Sequence, residues 1–312
     1  LLTTSCTDAL EMAAILSDFC EGDEVIIPSY TFVSSVNPFL MHGANVVFAD
    51  SEVYNPNVSI DSILQCISSK TKAIVVVHYA GICIDMPRIK EICVNQGIIL
   101  IEDAAQAIGG FYENNGIASP LGSFGDFACF SFHETKNIIC GEGGLLVVNN
   151  DAYVDRAHII WEKGTNRRAF VNGEVDKYGW VDIGSSFLPS ELNSAFLYSQ
   201  LTKIDEILSY RKKLWMTYEE MFREESSDYV IDIPEWSSNN AHIYYIILSS
   251  NKERNDLIHF LNNRGIQAVF HYQSLHKSSF RHTGILNHNT DLPNADKYSE
   301  RLLRLPLHNA LN

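Results

Sequence analysis

The chain predicts an α/β fold, with a large and mostly parallel sheet followed by a smaller α+β unit, and three observations carry that expectation. Short, nearly continuous apolar runs recur through the first two-thirds, as strands covered on both faces require. Amphipathic stretches separate these runs, which is the sequence form of helical crossovers. An apolar period of 3.6 residues beginning at Ser190 then leads into a second, shorter set of runs. With 312 residues, 46% of them hydrophobic, the chain has enough material for a sizeable core in one or two domains.

In order along the chain, Thr4 or Ser5 can cap a first helix that carries Ala9, Met12, Ala13 and Leu16 on one face. Glu21-Gly22-Asp23 ends that helix before a strand at 25–27, which Pro28 closes. Residues 45–50 (NVVFAD), 73–78 (AIVVVH) and 98–102 (IILIE) are three further strand-like runs, separated by helical segments around 61–67 and 86–96. FACFSF (127–132), a Gly-rich turn at 141–144 and LLVV (145–148) add neighbouring strands to the same sheet. After a polar, glycine-containing stretch near 163–186, the positions Leu192, Ala195, Phe196, Leu201, Ile204, Leu208, Trp215, Tyr218 and Phe222 fit one long linking helix. IYYIIL (243–248), a helix near 253–263, IQAVFHY (266–272) and a helix near 295–304 make the smaller unit. The expected boundaries are 1–189 for the large domain, 190–222 for the linking helix and 223–312 for the small domain.

Subtracting 38 acidic from 23 basic residues leaves a formal charge of −15, which repels phosphate backbones and anionic lipid. No run approaches the roughly 18 apolar residues of a membrane span, and no basic-then-apolar leader opens the sequence. A cytoplasmic protein is expected, with neither nucleic acid nor membrane as partner. The chain starts at Leu1 and passes almost directly into a helical pattern, so an upstream segment is expected to be missing. Seven cysteines without a C-x-x-C pair argue against zinc and against a disulfide framework. Most of them lie in apolar runs, where a cysteine serves as a small buried hydrophobe, and no metal site is expected.

Ligands of open α/β sheets gather at the carboxyl ends of the strands, so the residues directly after each apolar run are the candidates for chemistry. At Ile101-Glu102-Asp103-Ala104-Ala105-Gln106 an acid either binds a metal, a ribose or a protonated ring nitrogen, or Asp103 simply caps the next helix. In Ser131-Phe132-His133-Glu134-Thr135-Lys136-Asn137 the lysine is either solvated, as most lysines are, or desolvated enough to act as a nucleophile toward carbonyls. Thr3-Thr4-Ser5-Cys6-Thr7 offers amides and hydroxyls at a helix start, which suit either a phosphate or a plain cap. His271-Tyr272-Gln273-Ser274-Leu275-His276 ends an apolar run in the small unit, where lone histidines are usually structural or exposed.

A phosphate cradle at a helix start, an acid ending a strand and a lysine after a later strand together describe a pyridoxal phosphate site. The ordered segments TSCTDAL, PSYTFVSS, HYAG, IEDAAQ, SFHETKN and GEGG resemble the sugar aminotransferase family called DegT/DnrJ/EryC1/StrS, and the similarity spans essentially the whole chain. The resemblance implies an aspartate aminotransferase-like architecture (fold type I), pyridoxal 5′-phosphate as cofactor and a homodimer with active sites at the subunit boundary. It implies Lys136 as the residue that holds the cofactor covalently and then moves the proton, with Asp103 paired to the pyridine nitrogen. Gln106 would reach the phenolic oxygen side, Phe32 would stack on the ring, and Ser131, Cys6 and Thr7 would hold the phosphate.

Two positions depart from the commoner family wording. Cys6 stands where glycine is usual, and only its backbone amide is required there. Ser186, within Gly184-Ser185-Ser186-Phe187, lies where many relatives carry an asparagine-bearing segment that crosses to the neighbour's phosphate. His133, Lys163, Arg167, His271, Tyr272 and His276 are the candidates around the diphosphate of a nucleotide sugar. The wording VIIPSYTFVSS, EKGTNR, DKYGWVDIGSSFLPSEL, AVFHYQSLH and SERLLRLPL is most similar, within the family, to transaminases acting on dTDP-4-keto sugars. That implies L-glutamate as donor, dTDP-4-dehydro-6-deoxy-D-glucose as acceptor and dTDP-4-amino-4,6-dideoxy-D-galactose as product, a sugar of enterobacterial common antigen synthesis. The alternatives are a transaminase acting at C3 or on another nucleotide sugar, and a cofactor-binding protein without turnover. Lys136 argues against a related dehydratase branch that has histidine there, and no G-x-G-x-x-G follows the early strands as a nicotinamide dehydrogenase needs.

Overall fold

A computed structural model describes residues 1–225, 231–286 and 291–311. Strand Leu2–Thr3 (β1) runs into helix Cys6–Leu16 (α1), which Ser5 caps by accepting the Asp8 amide. Glu24–Pro28 (β2), Asn37–Met41 (α2), Asn45–Ala49 (β3), Ile60–Cys66 (α3), Thr71–Val77 (β4), Met86–Gln96 (α4) and Ile99–Asp103 (β5) follow in the expected alternation. Phe111–Asn114 (β6), Ile117–Pro120 (β7), Phe127–Ser131 (β8), Gly144–Val148 (β9), Val154–Trp161 (α5) and Arg167–Val171 (α6) complete the first two-thirds. Glu191–Leu201 (α7), Ile204–Glu225 (α8), Tyr244–Ile247 (β10), Asn251–Asn262 (α9), Ile285–Leu286 (β11), Pro293–Arg301 (α10) and Leu302–Leu305 (β12) make up the rest.

Eight strands form one sheet in the order β1-β9-β8-β5-β4-β2-β3-β11, parallel from β8 to β11 and antiparallel where β9 meets β8 and β1. Strand periodicity sends successive side chains to opposite faces. Val25, Ile27, Val75, Ile101 and Cys129 therefore join a core built on α1, while Ile26, Ile74, Val76, Leu100 and Ala128 join a second core with Met86, Ile89 and Cys93 of α4. Each fully buried aliphatic side chain contributes about 1.5–3 kcal/mol, so both faces of the central strands contribute to stability. Among the described residues no helix is long and apolar enough to cross a membrane.

Five features differ from expectation. The single linking helix is two helices, because the Lys203 amide turns back to the Gln200 carbonyl, three residues away, and the Thr202 hydroxyl takes the Ser199 carbonyl. IQAVFHY is not a strand and makes only an isolated bridge between Val269 and Arg304. The helix placed near 295–304 ends at Arg301, and the last residues of that segment pair with β10 as β12. A hairpin of β6 and β7 arises where Asn115 and Gly116 both take positive φ (50° and 79°), the conformation a two-residue hairpin turn requires. The C-terminal third also contributes β11 to the edge of the large sheet, where it pairs with β3.

Candidate active site

The end of β5 presents two adjacent carboxylates to opposite faces of the sheet. Glu102 is fully buried, accepts the Gly122, Phe124 and Gly125 amides at 2.7–2.8 Å and lies 2.8 Å from His78 Nε2. Burial works to raise its pKa, but His78 and the converging amides outweigh that and hold the carboxyl below the usual range. Glu102 is thus fully engaged in holding the 122–125 turn. Asp103 lies on the other face, where Oδ2 accepts the Ser35 hydroxyl at 2.6 Å and Oδ1 accepts the Ala105 amide at 3.1 Å. Thr31 Oγ1 is 2.8 Å from Ser35 Oγ, so a short hydroxyl chain orients this carboxylate.

Asp103 lines a cavity of about 460 Å³ together with Lys136, which follows β8. The Lys136 amide donates to the His133 carbonyl at 2.9 Å in the turn leaving that strand. Desolvation holds the Lys136 amine below the ordinary lysine range, with the charge of Arg304 acting in the same direction and Cys6 and Asp103 opposing. Such an amine is neutral for more of its time than a surface lysine, as a nucleophile must be.

One end of the cavity is the start of α1. The Cys6 and Thr7 amides have no carbonyl four residues back within the helix, and they sit at the positive end of its dipole. Gly144 of β9 lets this helix start approach the sheet, since a Cβ there would overlap the Ser5 carbonyl and the Cys6 amide. Ser131, at the end of β8, adds a buried hydroxyl that accepts the His133 amide at 3.3 Å. Free amides, hydroxyls and a helix dipole are the donor set of an anion site. Cys6 Sγ faces the Cys129 carbonyl at 3.4 Å, and burial pushes its thiol well up, so the side chain packs inward and leaves the amide for the cavity.

The opposite wall comes from the C-terminal third. Tyr272 OH accepts from Gln106 Nε2 at 3.0 Å, and Gln106 Oε1 accepts the Ala80 amide at 2.7 Å, so both ends of Gln106 are engaged. His271 stacks on Tyr272 with ring centroids 3.7 Å apart, and its Nδ1 is 2.7 Å from Tyr79 OH. Burial pushes His271 down to about 2, with the Arg304 and Lys136 charges adding to it, which leaves a neutral ring. Phe32 remains half exposed at the cavity mouth, 6.1 Å from the Tyr272 ring.

Ten of the residues singled out in the sequence line this one cavity: Cys6, Thr7, Phe32, Asp103, Gln106, Ser131, His133, Lys136, His271 and Tyr272. Four do not. Ser186 is exposed and bridges only to Glu162, Lys163 is exposed at φ 66°, and Arg167 is exposed in an ion pair with Glu162 at 2.9 Å. His276 instead ties the small unit to the loop after β2, with Nδ1 2.7 Å from Ser29 Oγ. Sequence reasoning missed Ser35, His242 and Arg304, all of which line the cavity. Ser35 stood within the quoted PSYTFVSS and Arg304 within the quoted SERLLRLPL, where it is the second of two arginines set among leucines.

Comparison with known proteins adds to this geometry. Residues 1–312 match the family model of the DegT/DnrJ/EryC1/StrS aminotransferases. The chain is 32% identical over 307 residues to the GDP-perosamine synthase of Vibrio cholerae, covering 96% of this chain and 78% of that one. It is similar in structure to the aminotransferase TlmJ from Streptoalloteichus hindustanus, with 27% identity and a TM-score of 0.88 over 100% of this chain and 81% of that one. Spr1654 from Streptococcus pneumoniae, described as a sugar aminotransferase, aligns in its PLP form with 25% identity and a TM-score of 0.85, over 100% of this chain and 82% of the other.

Proposed function

Because the chain belongs to the DegT/DnrJ/EryC1/StrS aminotransferase family, with its fold type I architecture, we propose that it transfers the amino group of L-glutamate to the C4 carbonyl of dTDP-4-dehydro-6-deoxy-D-glucose, giving dTDP-4-amino-4,6-dideoxy-D-galactose. The cofactor is pyridoxal 5′-phosphate. The cavity fits that group on its own chemistry: a desolvated amine, a fixed carboxylate and a helix start with unpaired amides line one space. When bound, the cofactor supplies an electron sink for the carbon that loses and regains a proton.

In this reading the protein's own groups do the rest. Lys136 would hold the cofactor through Nζ and would carry the proton at the same atom, a dual use that its lowered pKa favours. Asp103, oriented by Ser35 and the Ala105 amide, keeps the pyridine nitrogen protonated. The Cys6 and Thr7 amides with Ser131 hold the phosphate, and Phe32 and Tyr272 cover the ring against water. Residues 1–189 carry the cofactor and 223–312 close over it. Exposed large apolar side chains concentrated between residues 170 and 198, with Trp180 (82% exposed) and Leu192 (83% exposed) the barest, support a homodimer, since single exposed apolar residues are ordinary and a concentration of them is not. In that homodimer Ser186, Lys163 and Arg167 serve the partner's cavity, and His133, His271 and Tyr272 face the sugar nucleotide.

The observation that carries the proposal is the desolvated Lys136 amine sharing one cavity with the fixed Asp103 carboxylate. A second acceptor class, a GDP-linked keto sugar, is favoured by the likeness to the Vibrio cholerae GDP-perosamine synthase. The test is the absorbance of the cofactor-loaded protein before and after L-glutamate, followed by addition of dTDP- or GDP-linked 4-keto sugar, in wild type and Lys136→Ala. The expected result is a glutamate-dependent spectral change in the wild type alone, reversed by the dTDP sugar. Full turnover by Lys136→Ala would sink the proposal, and reversal by the GDP sugar alone would replace the acceptor.

A further inference from the structure

The segment 239–242, which leads into β10, is tied down residue by residue. Ala241 is fully buried at φ 53°, a left-handed conformation that is costly for any residue but glycine. Its amide donates to Asn239 Oδ1 at 2.8 Å, and the His242 amide donates to Asn240 Oδ1 at 3.1 Å. Arg211 donates to the Ala241 and His242 carbonyls at 3.1 and 2.6 Å. Asn240 Nδ2 reaches the Gln106 and Ile108 carbonyls at 2.7 and 3.0 Å through a slot that glycine leaves open, since a Cβ on Gly81 would overlap the Asn240 side chain. The backbone from which His242 enters the wall of the Lys136 cavity is thereby fixed, as a site that must present one atom accurately requires.

The same network decides which ring nitrogen of His242 carries the proton. The Asn240 carbonyl can only accept, so Asn137 presents Nδ2 to it at 2.9 Å and turns Oδ1 toward His242 Nδ1, also at 2.9 Å. Oδ1 can only accept in turn, so Nδ1 is the protonated nitrogen and Nε2 carries the lone pair. Burial, with the charges of Lys136, Arg304 and Arg211 adding to it, drives His242 well below the ordinary histidine range, so the ring stays neutral and Nε2 stays bare. Among the described residues nothing donates to Nε2. An asparagine could make the bond to Asn137 equally well, so what the imidazole adds is an acceptor in a residue that lines the cavity. An acceptor does not serve L-glutamate, whose one hydrogen-bond donor is the amine that reacts and whose carboxylates only accept. The keto sugar is different, because C3, beside the carbonyl carbon C4, bears a hydroxyl, while C5 on the other side bears none. We propose that His242 selects the acceptor sugar, Nε2 accepting a hydrogen bond from the C3 hydroxyl beside the carbonyl that takes the amine, an assignment that rests on the transaminase reading above. The carbonyl must meet the amine in the cavity that Lys136 and His242 share, so the hydroxyl one bond away is the one brought within reach. That hydroxyl does not depend on whether dTDP or GDP carries the sugar.

The experiment measures, by calorimetry, binding of 4-keto-6-deoxy sugars with and without the C3 hydroxyl, each carried on dTDP and on GDP. The protein is loaded with pyridoxal 5′-phosphate and no amino donor is present, so the sugars bind without reacting. Wild type is compared with His242→Asn, whose side-chain nitrogen takes the place of Nδ1 and keeps the bond to Asn137 while nothing takes the place of Nε2. A buried acceptor left unpaired predicts that wild type binds the 3-deoxy sugar about ten- to a hundredfold more weakly than the 3-hydroxy sugar, on whichever nucleotide it accepts. In His242→Asn the two sugars should bind within about threefold of each other, the 3-hydroxy sugar having lost affinity and the 3-deoxy sugar having kept it. Equal binding of the two sugars by wild type overturns the assignment, and so does a wild type that binds neither on either nucleotide. A preference undiminished in His242→Asn also overturns it, and if both sugars then bind more weakly the ring is structural only. A preference that depends on His242, in a protein that moves no amine from L-glutamate to either keto sugar, removes the transaminase reading and leaves the hydroxyl contact standing.

Discussion

At the scale of single residues, Glu102 and Asp103 show how far neighbouring side chains of one type can differ in use. Glu102→Gln removes the buried charge that three amides and His78 converge on, and breaking a buried pair of this kind typically costs about 3–5 kcal/mol. Its folded pKa is depressed, so its stabilisation is fully present above the unfolded carboxyl value, about 4.3, and is lost as pH falls through the lower folded value. Urea unfolding at pH 7 and in steps below pH 5 should therefore show a large deficit for Glu102→Gln at neutral pH that narrows toward acid. A deficit constant with pH would mean that the carboxylate charge is not what holds the turn. Asp103 was legible as a candidate because it ends an apolar run, and Lys136 because it stands in the polar turn just past another, while the choice between a solvated and a desolvated lysine came only from the resemblance of the surrounding motifs. Arg304 was hidden by its position in a segment read as helix, and Ser35 by the many roles a serine can take.

At the scale of elements, the contact between the start of α1 and β9 sets the phosphate end of the cavity. Gly144→Ala would put a methyl group into the Ser5 carbonyl and the Cys6 amide, both backbone atoms that cannot rotate away. Overpacking of this kind costs about 1–3 kcal/mol, and here it would also push the α1 amides off their target. The expected outcome is a lower Tm together with cofactor affinity reduced about tenfold or more, read by fluorescence titration of the apoprotein. Unchanged affinity with a lower Tm would place the phosphate elsewhere. Six of the eight strands of the large sheet were legible to within two residues because strands buried on both faces read as unbroken apolar runs, whereas the two-residue strands β1 and β11 are too short to leave such a run. The break between α7 and α8 was not, since the apolar period continues on both sides of Thr202 and Lys203 while the backbone turns. β12 was misread because RLLRLPL supports a helical count as readily as a strand until its partner β10 is known.

At the scale of the whole molecule, the polarity of the sheet brings the ends of β2, β5 and β8 to one side, and His276 fastens the C-terminal third there through Ser29. The cavity is therefore shared between chain segments about 300 residues apart, which no local pattern reveals. The homodimer proposed above belongs to the same scale, because a sequence does not reveal which apolar side chains, such as Trp180 and Leu192, the fold leaves exposed. Sedimentation equilibrium should find a dimer, and Trp180→Asp should shift it toward monomer with loss of turnover while the fold is retained by circular dichroism. A wild type that sediments as a fully active monomer would refute the shared site. The two carboxylates at the end of β5 have one more consequence. The sheet acts as a bulkhead between them: the Glu102 contacts that brace the 122–125 turn are walled off from the cavity that Asp103 lines. Chemistry at Asp103 can be retuned, one substitution at a time, without disturbing the brace on the other side of the wall.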